Sequence, residues 1–568
     1  MGQNKKTTLF LIAVLLSALY TYGGTPEQYA STSVLSTGQW FKVAVTQNGI
    51  YRIDYSKLKQ LGLANPSLPR LYGNNAGQLS FYNSDPKPDD LKEISLLLVK
   101  GTDGIFNEGD YLLFYAQGTH RWRFNYTSGN YDFIRHNYCD TAYYFLTSAA
   151  SQGKIISNAP GISSPASYST NSYDALYVHE LETENLIKSG REWFQPISSI
   201  SGIPITPSFG ELVPGEKVDY SIRVLGRSSI PTMFRFQEGT VIHESIQVPE
   251  VNLLSTTGTY ARDVAVTGSA NASSASPSYE MKFYNNGEQG AKGWIDFVKL
   301  KGRSVISFTT KTAEFSDTRS VLAGRITDFT VKSSSPTLAV WDVTDPFNPS
   351  IIQYTKNGDN NIFRALTDSL KTFIAFSTET TMVPLFRSTV VPNQNLHGSA
   401  AADMIIVTHP LFLAYAGKLA GIHQQNSGLI SLIVTPEEIY NEFSGGIQDI
   451  AAIRNFIRMK FLKQKESARP LKYLLLFGDG SIENKTLPPR NPNFIPTYQS
   501  QNSTVVVSSF TSDDFYGLLE DGEGEANGTE DIGIGRFPVS DTAQASIMVS
   551  KVRRYLESDG SGDWKNVI

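Results

Sequence analysis

The stretch YLLLFGDGS, Tyr473 to Ser481, sets an apolar run against a Gly-Asp-Gly-Ser turn. Tyr473 to Phe477 read as a fully buried strand, and ligands of open α/β sheets sit at the turns leaving the carboxyl ends of strands. The turn could serve as a nucleophile site, a phosphate cradle, a metal ligand or only a tight turn. A nucleophile elbow requires Gly-x-Ser-x-Gly, and Ser481 is followed by Ile482 and Glu483, so the pattern fails. A phosphate loop needs Gly-x-x-x-x-Gly-Lys-Ser/Thr and a dinucleotide site needs Gly-x-Gly-x-x-Gly opening a helix. Neither is present. What remains is an acid, Asp479, at the functional edge of a sheet, with Gly478 and Gly480 permitting the turn and Ser481 capping it.

A cysteine or serine nucleophile also needs a base. The chain has one cysteine, Cys139, and therefore no internal disulfide. Beside the aromatic run of HNYCDTAYYFL, it reads as a small hydrophobe rather than a nucleophile. His120, His136, His179 and His243 are scattered without metal-ligand spacing, and His409 ends a strand just before Pro410. His423 falls in the last turn of a helix, where the dipole favours a cation. No catalytic constellation assembles from these residues. Hard-oxygen chemistry has a better claim: TSDDFYGLLEDGEGEANGTEDIGIGRF gathers Asp513, Asp514, Glu520, Asp521, Glu523, Glu525, Glu530 and Asp531 around glycines. Carboxylates on a turning backbone suit calcium, which makes calcium the one candidate cofactor, set against a solvated surface loop. Asp103, Asn107 and Asp110 form a second Gly-punctuated loop, but their spacing matches no defined calcium loop, and a solvated hairpin is the favoured reading.

The elements that would position these residues follow from length and pattern. At 568 residues the chain reads as several domains. Its 18% of charged residues and 28 tyrosines fit extracellular β-rich proteins better than a cytosolic helical enzyme. Net charge is −5 with no Lys/Arg block, which excludes nucleic acid as the expected partner. Residues 1–23 read as a signal peptide: Lys5 and Lys6, an apolar run from Leu9 to Leu19, then the small residues Thr21 and Gly23. The run is shorter than the ~20 apolar residues that span a bilayer, and no later segment is long and apolar enough. The protein is thus expected to be exported.

Residues 24–150 alternate short strands with turns, as in QWFKVAV and DYLLFYAQG, and form a β-rich module. Residues 151–173 are Ser/Pro/Gly-rich and read as a linker. After a polar, partly helical stretch, HELETENLIKSGREWF, strands resume at sandwich spacing, so residues 174–392 read as a β-sandwich-like domain with Trp294 and Trp341 in its core. From residue 399 the grammar changes. DMIIVTH, LISLIVT, YLLLFG and DIGIGRF are strands. The first helix is expected to turn Leu411, Tyr415, Leu419 and Ile422 inward, the second Ile450, Ile453, Ile457 and Phe461, and the last Ala545, Met548, Val552 and Tyr555. EEIYNEFSGG reads as a loop, and a Pro-rich excursion precedes DIGIGRF. This order describes a mostly parallel sheet wrapped by helices, with a further strand expected at DWKNVI.

In this order DMIIVTHP, VTPEEIYNEFSGG, KYLLLFGDGS, SDDFYG and DIGIGRFPV resemble the first half of the gingipain-type cysteine peptidase domain. Upstream, GQWFKVAVTQNGIYRIDYSKLKQLG, RLYGNNAG and DGIFNEGDYLLFYAQG are similar to the amino-terminal region of the family's sortase branch, which serves the type IX (Por) secretion system of Bacteroidetes. The resemblance implies all-β amino-terminal domains followed by the first half of a caspase-like α/β peptidase domain. It further implies a Cys nucleophile, a His base and an assisting acid, and a place at the outer membrane or cell surface. The implied partners are cargo proteins with carboxyl-terminal signals, which the sortase cleaves, and other outer-membrane secretion components. Asp531 matches a calcium-ligand position of the family, so Asp521, Glu523 and Asp531 become the candidate metal ligands, although the loop differs in length. His397-Gly398 resembles the His-Gly pair of caspase-like proteases, but it precedes the first strand and reads as a loop residue. In the family the dyad follows the strand expected after Trp564, so residues 399–568 are expected to be a truncated peptidase domain without its dyad, inactive alone. The competing expectation is a non-catalytic cell-surface binding module that keeps the fold.

Overall fold

A computed structural model describes residues 29–75, 77–309 and 312–558. The expected leader and the strand anticipated at DWKNVI lie outside the described residues.

The amino-terminal module pairs Trp40–Val45 with Ala142–Ser148 in one sheet and Gly49–Asp54 with Tyr111–Ala116 in another. Its first sheet is completed by Leu385–Val391, which returns from far along the chain to lie antiparallel to Trp40–Val45. The region expected as one sandwich contains two separate cores. One gathers Ile222, Phe234, Phe236, Met281 and Val298, and the other gathers Phe308, Phe329, Phe363 and Phe373. Trp294 and Trp341 are both buried, but Trp341 packs with Ile50, Leu113 and Tyr115 of the amino-terminal module. The segment 151–173 is pinned by two parallel pairings, Ser157–Asn158 on Ser350–Ile351 and Tyr168–Thr170 on Ile326–Lys332.

HELETENLIKSGREWF forms no helix. Glu184 and Phe194 exchange backbone hydrogen bonds of 3.0 and 2.8 Å across a loop whose Lys188 and Gly190 have φ of 56° and 76°. The Asn185 side chain donates to the carbonyls of Ser189, Gly190 and Glu192, a local alternative that competes with helical bonding. The opposite correction applies to EEIYNEFSGG, most of which lies in the helix Pro436–Phe443. Thr435 and Glu438 form a complete capping box and Pro436 opens the helix, start signals that outweigh the polar composition.

The α/β unit has four parallel strands in the order Ser431–Val434, Met404–Thr408, Tyr473–Phe477, Gly533–Phe537. Both faces of such a sheet must be covered, which is why the two central strands are near-continuous apolar runs. Helix Leu413–Ser427 crosses to one side of the first strand, whereas Pro436–Phe443 and Ile450–Gln464 cross back to the other. Right-handed crossovers in opposite directions therefore put them on opposite faces. Helix Thr542–Glu557 packs beside Leu413–Ser427. The two faces differ in cover. Helix Ile450–Gln464 is buried nearly all round, including Arg454 and Lys460, beneath Leu79, Phe81 and Tyr138 of the amino-terminal module. Helix Thr542–Glu557 buries Ala545 and Val549, and Tyr555, expected inward, is half exposed because that outer face meets solvent. Leu411 is also half exposed: it sits in a 3-10 turn ahead of the helix, and Phe412, Ala416, Leu419 and Ile422 make the buried stripe.

Leu476 lies on a central strand with no exposed surface. Leu476→Ala should cost about 2–5 kcal/mol, read as an earlier urea midpoint in helical circular dichroism, since the long helices among the described residues all belong to this unit. An unchanged midpoint would contradict this packing.

Candidate functional site at the carboxyl edge of the sheet

Strand order reverses at Met404–Thr408, because its connection runs one way and that of Ser431–Val434 runs back past it to Tyr473–Phe477. The crevice outside the carboxyl ends of these strands is a topological switch point, the usual ligand position of open α/β sheets. Its walls are the His409-Pro410 turn and the Gly478–Ser481 turn. Thr408 Oγ1 donates to Phe477 O at 3.2 Å and ties the two strand ends together.

A loop fills the crevice. Phe494 packs against His409 with ring centroids 5.0 Å apart, and the Phe494 and Ile495 amides donate to Asp479 O at 3.0 and 3.1 Å. The two glycines of the turn are required by this approach: a Cβ at Gly478 would stand 2.8 Å from Phe494 Cβ, and one at Gly480 would stand 2.7 Å from Thr497 Cγ2. Asp479 is half-buried, and its Oδ1 accepts from Gly480 N at 2.9 Å. Ser481 Oγ accepts from Glu483 N at 3.2 Å, which bears out its reading as a turn cap.

The organising cation is Arg536, at the end of strand Gly533–Phe537, which the sequence reading did not single out. Its guanidinium pairs with both oxygens of Asp513, each at 2.7 Å, and donates to Gly478 O and Ile495 O at 2.9 Å. One side chain thus joins the turn, the loop and the acidic segment. Asp513 was visible only as one acid among many; its partner's position on a strand end at the same edge was the available signal.

The candidate calcium ligands do not converge. Asp521 pairs with Arg458. Glu523 accepts from the Glu520 and Thr529 amides at 3.0 and 2.8 Å, and Asp531 accepts from Leu519 N at 3.1 Å. Glu520 pairs with Lys465 at 3.1 Å and Glu525 with Arg191 at 2.8 Å. Among the described residues no group of three or more His, Cys, Asp or Glu side chains is placed to hold a metal ion. Glu523 and Asp531 satisfy the loop's own amides while Asp521, Glu520 and Glu525 pair with cations, so the arrangement does not fit a calcium cage. In the second loop Asp110 accepts from the Gly101 and Asn107 amides at 2.9 and 2.8 Å, and Asp103 from Ile105 N at 3.0 Å.

Cys139 lies half-buried beside this unit. Its Sγ donates to Thr141 O at 3.2 Å, and burial pushes its thiol up, the reverse of what a nucleophile needs. The nearby His136 ring accepts from the Tyr138 and Cys139 amides through Nδ1, both at 3.2 Å. His409 accepts from Leu411 N at 3.2 Å, and burial lowers its pKa. His397 lies in the loop before the first strand, as expected, but is buried. Its Nδ1 is 2.5 Å from Glu442 Oε2 and its Nε2 2.9 Å from Asp89 Oδ1, while its ring stacks on Phe443. No local signal links Asp89 to His397.

The sheet, its switch point and this edge fall within residues 397–568, which match the model of Peptidase family C25. The α/β unit is of the gingipain type. Over 95% of its length the chain is similar to dimeric latent PorU from Porphyromonas gingivalis, with a TM-score of 0.82 and 25% identity. It covers 51% of that chain, so it spans about half the length of the structure it matches. Against the complex of Porphyromonas gingivalis RgpB pro- and mature domains, identity is 18% over 27% of this chain and 28% of that one, at a TM-score of 0.18. No curated protein matches the sequence. The likeness to PorU extends beyond the α/β unit to nearly the whole chain.

His397 supplies a pH signature. Burial would lower its pKa, but hydrogen bonds to Asp89 and Glu442 outweigh that and raise it from 6.5 to about 9. The stabilisation is therefore fully present below the unfolded value and is lost as pH rises through about 9. The melting temperature of the native chain should fall more steeply between roughly pH 7 and pH 10 than that of His397→Gln. Parallel curves would remove the ion pair from the account.

Proposed function

We propose that this polypeptide is the amino-terminal part of a secreted gingipain-like cysteine endopeptidase of the type IX secretion pathway, a sortase that removes carboxyl-terminal signals from cargo proteins at the outer membrane. The observation that carries the reading is the likeness to latent PorU over nearly the whole chain. The match of the α/β unit to Peptidase family C25 supports it at family level.

In such an enzyme a thiolate attacks the scissile carbonyl, and the acyl-enzyme is resolved by water or an amine. The residues described here supply other parts of that task. Arg536 and Asp513 hold the carboxyl edge in one geometry, and the β modules brace the face that helix Ile450–Gln464 presents. The Cys139 thiol, raised by burial and bonded to Thr141 O, does not serve as the nucleophile. Among the described residues no helix is long and apolar enough to cross a membrane.

The purified 568-residue chain is expected to leave a cargo protein with its carboxyl-terminal signal uncleaved. Cys139→Ala should behave identically. Fusion to a peptidase segment that carries a His-Gly strand end and a Cys strand end should restore cleavage. Cleavage by this polypeptide that stops on alkylating Cys139 would overturn the assignment. Tight cargo binding with no cleavage by the fusion would favour a non-catalytic surface module instead.

A further inference from the structure

The loop that fills the switch-point crevice is gripped from its far side by the sandwich region. Arg191 N donates to Ser500 O at 2.9 Å, and its guanidinium donates to Gln499 O at 3.0 Å and to Glu525 Oε1 at 2.8 Å. The same cation lies over the rings of Phe81 and Tyr498, at 5.1 and 5.9 Å from their centroids. Ser503 Oγ accepts from Glu192 N at 2.9 Å and from Asn185 Nδ2 at 3.3 Å. A second grip comes from Tyr260 N, which donates to Thr504 O at 2.7 Å. Gly190, at φ 76°, lets the two chains meet, since a Cβ there would stand 2.1 Å from Asn502 O.

On its inner side the same loop holds the rim. Gln499 Nε2 donates to the carbonyls of Ser481 and Ile482 at 3.3 Å. Phe494 sits against His409, and Ile495 O takes the Arg536 bond. Each end of the grip therefore bears on residues at the crevice, and the segment between is held from two sides by parts of the chain far apart in sequence.

We propose that residues 484–512 form a strap over the switch-point crevice, held closed by the sandwich region through Arg191, and that releasing Arg191 withdraws Phe494 from His409 and opens the crevice. The device is independent of whether the unit acts in proteolysis. The strap's polar residues are held by side-chain bonds, and Phe494, Ile495 and Tyr498 seat it on the core of the α/β unit. Arg191 is the hub because one planar fork reaches two acceptors while its face covers two rings, a geometry that lysine cannot reproduce.

The test is amide hydrogen exchange on the full chain. In Arg191→Ala the amides of Phe494, Ile495, Ser500 and Thr504 should exchange about ten- to a hundredfold faster, the range for losing charge-assisted bonds. Strands Met404–Thr408 and Tyr473–Phe477 should keep native protection. Arg191→Lys should fall between native and alanine, and Glu525→Gln should give a smaller effect confined to the same amides. Trypsin cleavage after Lys485 or Arg490 should accelerate in the same rank order. Faster exchange limited to residues 184–192 would overturn the strap, because the grip would then not hold the loop. So would uniform acceleration that includes the central strands, which would mark Arg191 as a general stabilising residue. If Arg191→Ala does not fold, the lysine and Glu525 variants decide the matter by the same comparison.

Discussion

A parallel sheet leaves no face free for water, and this requirement organises the chain. Helices Leu413–Ser427 and Thr542–Glu557 cover one face and keep an ordinary solvent side. The other face is covered by Ile450–Gln464, whose own outer side is buried in turn. Leu79, Phe81 and Tyr138 belong to the core of the α/β unit, and Ile447 of that unit belongs to the core of the amino-terminal module. Exchange of core residues in both directions makes these parts one packed body rather than beads on a string. The gripped loop follows from the same requirement, because a long connection at the carboxyl edge needs partners for its backbone groups.

Burying helix Ile450–Gln464 also buries its charges. Arg454 has no exposed surface; it donates to Phe81 O and lies 4.1 Å from the centroid of Phe515, with Nε and Nη1 unpaired among the described residues. Burial, with Arg458 adding to it, pulls its pKa down to about 9. Lys87 is lowered to about 8 by burial and the same two arginines. Across the module boundary, by contrast, His397 is raised because two carboxylates face it. The interface between the β module and the α/β unit is therefore held by apolar area and by ion pairs such as that of His397 with Asp89 and Glu442, and it bears the desolvation cost of Arg454 and Lys87. Removing one partner of such a pair is far costlier than the pair's net contribution. Contacts of this kind favour one relative placement of the modules, since any slip strands a charge.

Much of the α/β unit was legible because its signals are local. Three of its four strands are short apolar runs bounded by turn residues, and two of its three long helices carry caps, Asp449 and Asp541, that accept from their own first-turn amides. Helix Pro436–Phe443 was equally marked by Thr435, Pro436 and Glu438 but was masked by a polar composition. What the sequence could not display are pairings across long separations. Leu385–Val391 joins a sheet begun at Trp40, Asp89 meets His397, and Arg191 reaches Gln499. None has a periodicity or spacing to announce it. The acidic loop misled for a related reason: a cluster of carboxylates looks the same in sequence whether it converges on an ion or turns inward to its own amides and to Arg458 and Arg191.

The Gly-Asp-Gly-Ser turn shows how backbone demands can mimic a reactive motif. Glycines flanking an acid at a strand end suggest a loop shaped around a ligand. Here the approaching group is the protein's own chain, Phe494 to Thr497, and each glycine is explained by a side chain that a Cβ would strike. The carbonyl of Asp479 receives two amides and that of Gly478 receives Arg536, so the turn works through its backbone more than through its carboxylate. It follows that substitutions at Asp479 and at its two glycines should not be equivalent. The glycines set how closely the strap can lie, whereas the carboxylate closes a local bond to Gly480 and faces the Arg536 charge. The functional content of this stretch therefore lies in what it allows to sit above it.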